Sequence, residues 1–244
     1  MTARPIRRNG PPQPPPRGLF TTAADMIRTL SLLLALAGAA SIPAIAQAQD
    51  ANAGQKKAAM CIGCHGIPGY QASFPEIHKV PKIAGQNAKF IVAALAAYKK
   101  GERKHPTMKA IAGSLTDQDM GDLGAYYEKL GQQGSVKTVA DTAAAQPPAD
   151  VAALLTKGNC ASCHGADFNK PIDPSYPKLA GQHADYLFVA LKAYQTEGNP
   201  QVGRSNAIMV GQAKQFKRSE LKAIAEYLGS LPSELSSPAQ PKFR

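Results

Sequence analysis

The 244-residue chain has four cysteines, all in two short clusters, and none outside them. That leaves no thiols for a disulfide framework, because a two-residue gap is a poor loop for a stabilising staple. No stretch alternates apolar and polar residues as a half-buried strand does, so the periodicity gives no sheet. The strand–helix setting of a thioredoxin-like dithiol is missing as well. After the first 48 residues no apolar run is long enough to span a bilayer. No attached signalling domain is legible in these residues, which argues against a redox or gas sensor.

The cysteines themselves read Cys61-Ile-Gly-Cys64-His65 and Cys160-Ala-Ser-Cys163-His164. Cys-x-x-Cys-His is the spacing that attaches a c-type haem. Each thiol adds to a vinyl group of the ring, the two-residue gap keeps both sulfurs on one turn, and the adjoining histidine binds the iron. A zinc site would need four ligands and would have to combine two pairs that lie 99 residues apart. Two covalent haem c groups are therefore expected, held by Cys61 and Cys64 and by Cys160 and Cys163, with His65 and His164 as iron ligands.

The first 48 residues are an expected export signal. Within residues 26–48, one positive charge, an apolar core and the small residues Ala46 and Ala48 make a secretory pattern with a cut near Ala48. Residues 1–25 are rich in Arg and Pro and precede a second methionine, Met26, so the start is either an early-assigned codon or a long leader. Cleavage would remove five basic residues and one acidic one, taking the net charge from +11 to +7. A moderately basic periplasmic protein suits acidic partners or an anionic bilayer surface. Export and haem attachment argue against nucleic acid.

Beyond the signal the chain is one unit written twice. Pro81-Lys-Ile-Ala-Gly-Gln86 returns as Pro177-Lys-Leu-Ala-Gly-Gln182, and ten of the 18 positions from Pro81 to Tyr98 are identical in the second copy. Expected boundaries are 49–135 for the first domain, 136–149 for a Pro-stiffened linker, 150–232 for the second domain and 233–244 for a frayed tail. Within each copy the period is helical: Ile91, Leu95 and Tyr98 match Leu187, Leu191 and Tyr194. A last helix sets Met120, Leu123, Tyr127 and Leu130 on one face, matched by Leu221, Ile224, Leu228 and Leu231. Thr116 and Asp119 form a capping box, and Asp50 and Asp150 are expected N-caps of short helices before the haem motifs. A domain this small buries little apolar surface alone, and a covalently held ring supplies the missing core.

The sixth iron ligand is assigned by pairing. Met108 and Met209 are the only methionines after the haem motifs that fall at matching places, and a thioether raises the potential and closes the site. Met120 pairs with Leu221 and is core filler. His78, His105 and His183 have no histidine counterparts and read as surface residues, with His105 the one alternative ligand. Lys99, Lys100, Arg103 and Lys104 read either as a steering patch for an acidic partner or as a solvated helix end.

Taken together these residues resemble the class I c-type cytochromes, and specifically the two-haem cytochrome c4 family, over about residues 51–231. The resemblance implies an all-α fold of two tandem class I domains, each a small helical bundle around a covalent haem. It also implies that the carbonyls of Pro81 and Pro177 accept a hydrogen bond from the axial histidines. The function it implies is periplasmic one-electron shuttling between respiratory-chain proteins, toward a terminal oxidase, and not catalysis. The alternatives are an electron-accepting subunit of a dehydrogenase complex and a dihaem peroxidase. The peroxidase needs an open sixth site that the paired methionines argue against.

Overall fold

The computed structural model describes residues 48–133 and 146–239. Residues 1–47 of the expected signal peptide, residues 134–145 with most of the expected linker, and the last five residues of the tail lie outside them. The described chain is helical apart from two small ribbons. In order it runs α1 (Ala51–Lys57), α2 (Ala59–His65), β1 (Gln71–Ala72), β2 (His78–Lys79), α3 (Ala88–Lys100), β3 (Arg103–Lys104), α4 (Pro106–Gly113) and α5 (Asp117–Gln133). The second half runs α6 (Ala149–Lys157), α7 (Cys160–His164), α8 (Ala184–Gln195), β4 (Gly203–Arg204), α9 (Ala207–Ala213) and α10 (Arg218–Ser230).

In the first half α5 packs against both α1 and α3. Gly54 makes the α1 crossing possible, since a Cβ there would collide with the Asp122 carbonyl and the Tyr126 side chain. Asp50 caps α1 by accepting the Asn52 N–H at 2.8 Å. Thr116 and Asp119 form the expected reciprocal cap, with the Thr116 N–H to Asp119 Oδ2 at 2.9 Å and the Asp119 N–H to Thr116 Oγ1 at 3.1 Å. Ile91, Leu95, Met120, Leu123 and Tyr127 make one buried cluster, and Leu187, Leu221, Ile224, Leu228 and Leu231 the other. Each such side chain contributes about 1.5–3 kcal/mol by leaving water.

Asp150 is not an N-cap. Helix α6 begins two residues earlier than expected, after Pro148, whose side chain makes no capping bond. Asp150 sits in the first turn instead, where its charge suits the positive end of the helix.

The two halves are sewn together by side-chain-to-backbone bonds. Gln182 accepts the Lys82 N–H at 2.9 Å and donates to the Lys82 carbonyl at 2.8 Å. Gln86 accepts the Lys178 N–H at 2.9 Å and donates to the Lys178 carbonyl at 3.1 Å. Beside them β3 and β4 pair antiparallel, with Arg103 opposite Arg204. The β1–β2 hairpin reaches over α8: the Lys79 N–H donates to Asp185 at 3.0 Å, Lys192 pairs with Glu76, and His78 stacks on Tyr186.

The tail does not fray where it is described. Leu235 is 3% exposed, the Ser236 N–H donates to the Ala84 carbonyl at 3.0 Å, and Glu234 pairs with Lys178 at 2.6 Å. Residues 233–236 thus return from the second half to the first. Gly85 allows this with its positive φ of 86°, since a Cβ there would meet the Glu234 carbonyl.

Candidate haem sites

Both cysteine pairs lie on one helical turn, Cys61 and Cys64 on α2 and Cys160 and Cys163 on α7. All four are half-buried and unpaired. Burial pushes the Cys61 and Cys160 thiols above their usual range. Among the described residues no three His, Cys, Asp or Glu side chains converge on a common point.

Each histidine is anchored from behind. His65 Nδ1 lies 2.9 Å from the Pro81 carbonyl and His164 Nδ1 lies 3.1 Å from the Pro177 carbonyl. Against a carbonyl only an Nδ1–H can donate, so the neutral ring keeps its lone pair on Nε2. Burial holds both rings below the usual histidine range, against the opposing pull of these hydrogen bonds. A neutral, oriented imidazole with a free Nε2 is what an iron ligand requires.

Met108 is the third residue of α4 and Met209 the third of α9, and both are half-buried. Met108 packs against the same cluster as Cys61, Ile62 and Tyr98. The helices carrying the two methionines are capped in the same way by different residues. His105 Nδ1 accepts the Met108 N–H at 3.4 Å, and Asn206 Oδ1 accepts the Met209 N–H at 3.1 Å. The His105 ring also meets Phe74 edge-on. His105 thus serves as the N-cap of the helix that carries Met108. His78 likewise departs from the surface reading: it is 5% exposed, with Nδ1 2.8 Å from the Glu76 carbonyl.

Lys99, Lys100 and Lys104 of the basic cluster stay exposed, yet two of them also bond within the molecule. Lys99 donates to the Leu115 carbonyl and Lys104 to the Asn199 carbonyl across the junction. The Arg103 guanidinium lies over Phe90 and Tyr98, at 5.2 and 5.7 Å from the ring centroids. Arg204, which the sequence reading overlooked, lies over Tyr186 and Tyr194 at 5.7 and 5.4 Å. No carboxylate forms an ion pair with either guanidinium among the described residues. The signal was available, since Arg103, Phe90 and Tyr98 match Arg204, Tyr186 and Tyr194 position for position in the repeat.

These donors fit a covalent haem in each half: two sulfurs on one turn, an oriented imidazole, a matched thioether, and uncompensated positive charge for carboxylate substituents. Fold and sites together define a two-domain c-type cytochrome. The family model for cytochrome c matches residues 51–131 and again 148–232. Over 216 residues the chain is 32% identical to the cytochrome c4 of Stutzerimonas stutzeri, covering 83% of this chain and 97% of that protein. It belongs to the cytochrome c family and, within it, to the two-haem cytochromes c4. The crystal structure of reduced recombinant cytochrome c4 from Pseudomonas stutzeri superposes with a TM-score of 0.56 at 28% identity, covering 75% of this chain and all of that one. A protein named thiosulfate dehydrogenase electron acceptor, from Stutzerimonas stutzeri strain A1501, is 29% identical over 80% of this chain and 94% of its own length. The chain is thus a dihaem electron-transfer cytochrome with two covalently attached haem c groups.

Proposed function

We propose that the protein is a periplasmic carrier that passes single electrons between respiratory-chain proteins, toward a terminal oxidase, and is not itself an enzyme. In this reading Cys61 and Cys64 hold one haem and Cys160 and Cys163 the other. His65 with Met108 would hold one iron, and His164 with Met209 the other. The bound groups supply reversible one-electron chemistry. Pro81 and Pro177 fix the imidazoles, the methionines would supply each iron's second protein ligand, and Arg103 and Arg204 would offset the carboxylates of the ring substituents. The domains are taken as 49–135 and 150–232, joined by the linker at 136–149. Residues 1–48 act as the export signal, and no helix among the described residues is long and apolar enough to cross a membrane.

The observation that carries this reading is the repetition of a whole ligand frame: an Nδ1-to-proline bond and an equivalently capped methionine in each half. Absorption spectra of the oxidised and reduced protein, with and without carbon monoxide, test it. Two haems per chain, a ferric near-infrared sulfur-to-iron band and no carbon monoxide binding are expected. A high-spin iron, or ready carbon monoxide binding at either site, would replace the carrier with an enzyme such as a dihaem peroxidase.

A second reading, in which the protein is the electron-accepting partner of a dehydrogenase, is favoured by the relative that carries such a name. Stable co-purification with a large dehydrogenase would select it; a free monomeric carrier would not.

A further inference from the structure

Helix α5 places one polar atom where the second domain has none. Tyr127 is 4% exposed, and its hydroxyl is buried with no hydrogen-bond partner among the described residues. It belongs to the cluster against which Cys61 packs. At the matching position of α10 stands Leu228, equally buried and wholly apolar. Burial pushes the Tyr127 phenol far above its usual range, so the group stays protonated and keeps its O–H to donate. A buried hydroxyl without a partner is rare in a native protein and points to something that has yet to fill the space.

The haem reading of Cys61 identifies that neighbour, and the role of Tyr127 rests on that reading. Once the Cys61 sulfur is a thioether it carries no proton, so across this contact the only hydrogen available is the tyrosine's. We propose that the Tyr127 hydroxyl turns its proton toward the haem edge at the Cys61 linkage and tunes the first haem alone. Reduction adds one electron, supplied by the redox partner, and so adds negative charge to the ring and its iron. The positive end of a fixed dipole in a low-dielectric site stabilises that added charge. The first haem is therefore easier to reduce than it would be with a phenylalanine, and the second, facing Leu228, receives no such help. Hydrogen bonding and burial around the ring are recognised levers on haem potential, and this one breaks the symmetry of the duplicated domain.

The test is Tyr127→Phe in the full-length holoprotein, which keeps ring volume and removes only the hydroxyl. A pyridine haemochrome assay first counts two haems per chain in parent and variant. A parent with fewer would overturn both the haem reading and this inference. Spectroelectrochemical titration then follows the two reduction steps, with the first haem's step identified as the one that Met108→Leu displaces. The expected result is a fall of about threefold to tenfold in the ferrous-to-ferric ratio at that haem, the worth of about one net hydrogen bond, with the other step unchanged. Neither step moving, or both moving together, would overturn the proposal, because a loosened fold would not single out one haem. Tyr127→Leu, which installs the second domain's residue, should shift the same step in the same direction.

Discussion

Gln86 and Gln182, one from each copy of the Pro-Lys-x-Ala-Gly-Gln segment, each grip the backbone of the other copy's lysine. Gln86 bonds both the N–H and the carbonyl of Lys178, and Gln182 does the same at Lys82. The two side chains are only 3% and 4% exposed, so these four bonds are made out of water. A residue that looks like part of a repeated fold motif is thus the domain junction.

Gln86→Ala and Gln182→Ala should each destabilise the holoprotein, because each leaves a partly buried backbone N–H and carbonyl without partners. About 1–3 kcal/mol is expected per substitution, and each kcal/mol lowers Tm by about 2–4 °C in a chain of this size. Calorimetry would also show the two changes to be non-additive, since either one loosens the junction that both serve. An unchanged Tm in both variants would mean the junction contributes nothing to stability.

Met108→Leu and Met209→Leu each remove a thioether while keeping side-chain volume. Each should lower the reduction potential of one haem, abolish about half of the near-infrared sulfur-to-iron band, and admit about one carbon monoxide per chain. Redox titration and carbon monoxide difference spectra read these effects. A variant that keeps both potentials and still excludes carbon monoxide would strip that methionine of its role.

The helical periods at Ile91, Leu95 and Tyr98 and at Leu221, Ile224 and Leu228 were legible because one buried face repeats with the helical turn. The cysteine motifs were legible because the chain is duplicated, so a position of this kind announces itself twice, and the methionine pair is proposed on the same ground. The junction was not, although the glutamines also occur twice: nothing in one copy says that its side chain serves the other. The ribbons at 103–104 and 203–204 are too short to show any period. Leu235 was lost in a polar tail, since one apolar residue makes no pattern. His105 was misread as a surface group because capping is usually the work of Ser, Thr, Asp or Asn, yet Asn206 at the matching place held the clue.

Acid should weaken the first domain through Asp119 and Asp122. Lys57 first, with the Thr116 hydroxyl, holds Asp119 well below the usual carboxylate range. The Asp50 N–H first, then Lys57, lowers Asp122. Because both groups bind protons less readily when folded, their stabilisation is in place above about pH 4, the unfolded carboxylate value. It is lost as pH falls through their lower folded values. Asp122→Asn should therefore have a lower Tm than the parent at pH 7, and the gap should narrow as the pH drops below about 4. A gap that stays constant across that range would show that the charge of Asp122 plays no part.

His105→Asn tests whether the histidine before Met108 is a cap or something more. Asn206 already does the equivalent work in front of Met209, so the asparagine variant should keep both near-infrared bands, both potentials and the exclusion of carbon monoxide. His105→Ala has no acceptor for the Met108 N–H and loses the edge-on contact with Phe74. Losing an N-cap costs about 1 kcal/mol, and that loss falls on the short helix that carries Met108. The first haem's sulfur-to-iron band should then melt at a lower temperature than the second's, while the two bands stay together in the asparagine variant. If asparagine is as damaging as alanine, the histidine has a role that a hydrogen-bond acceptor at this position does not fill, and the contact with Phe74 becomes the place to look.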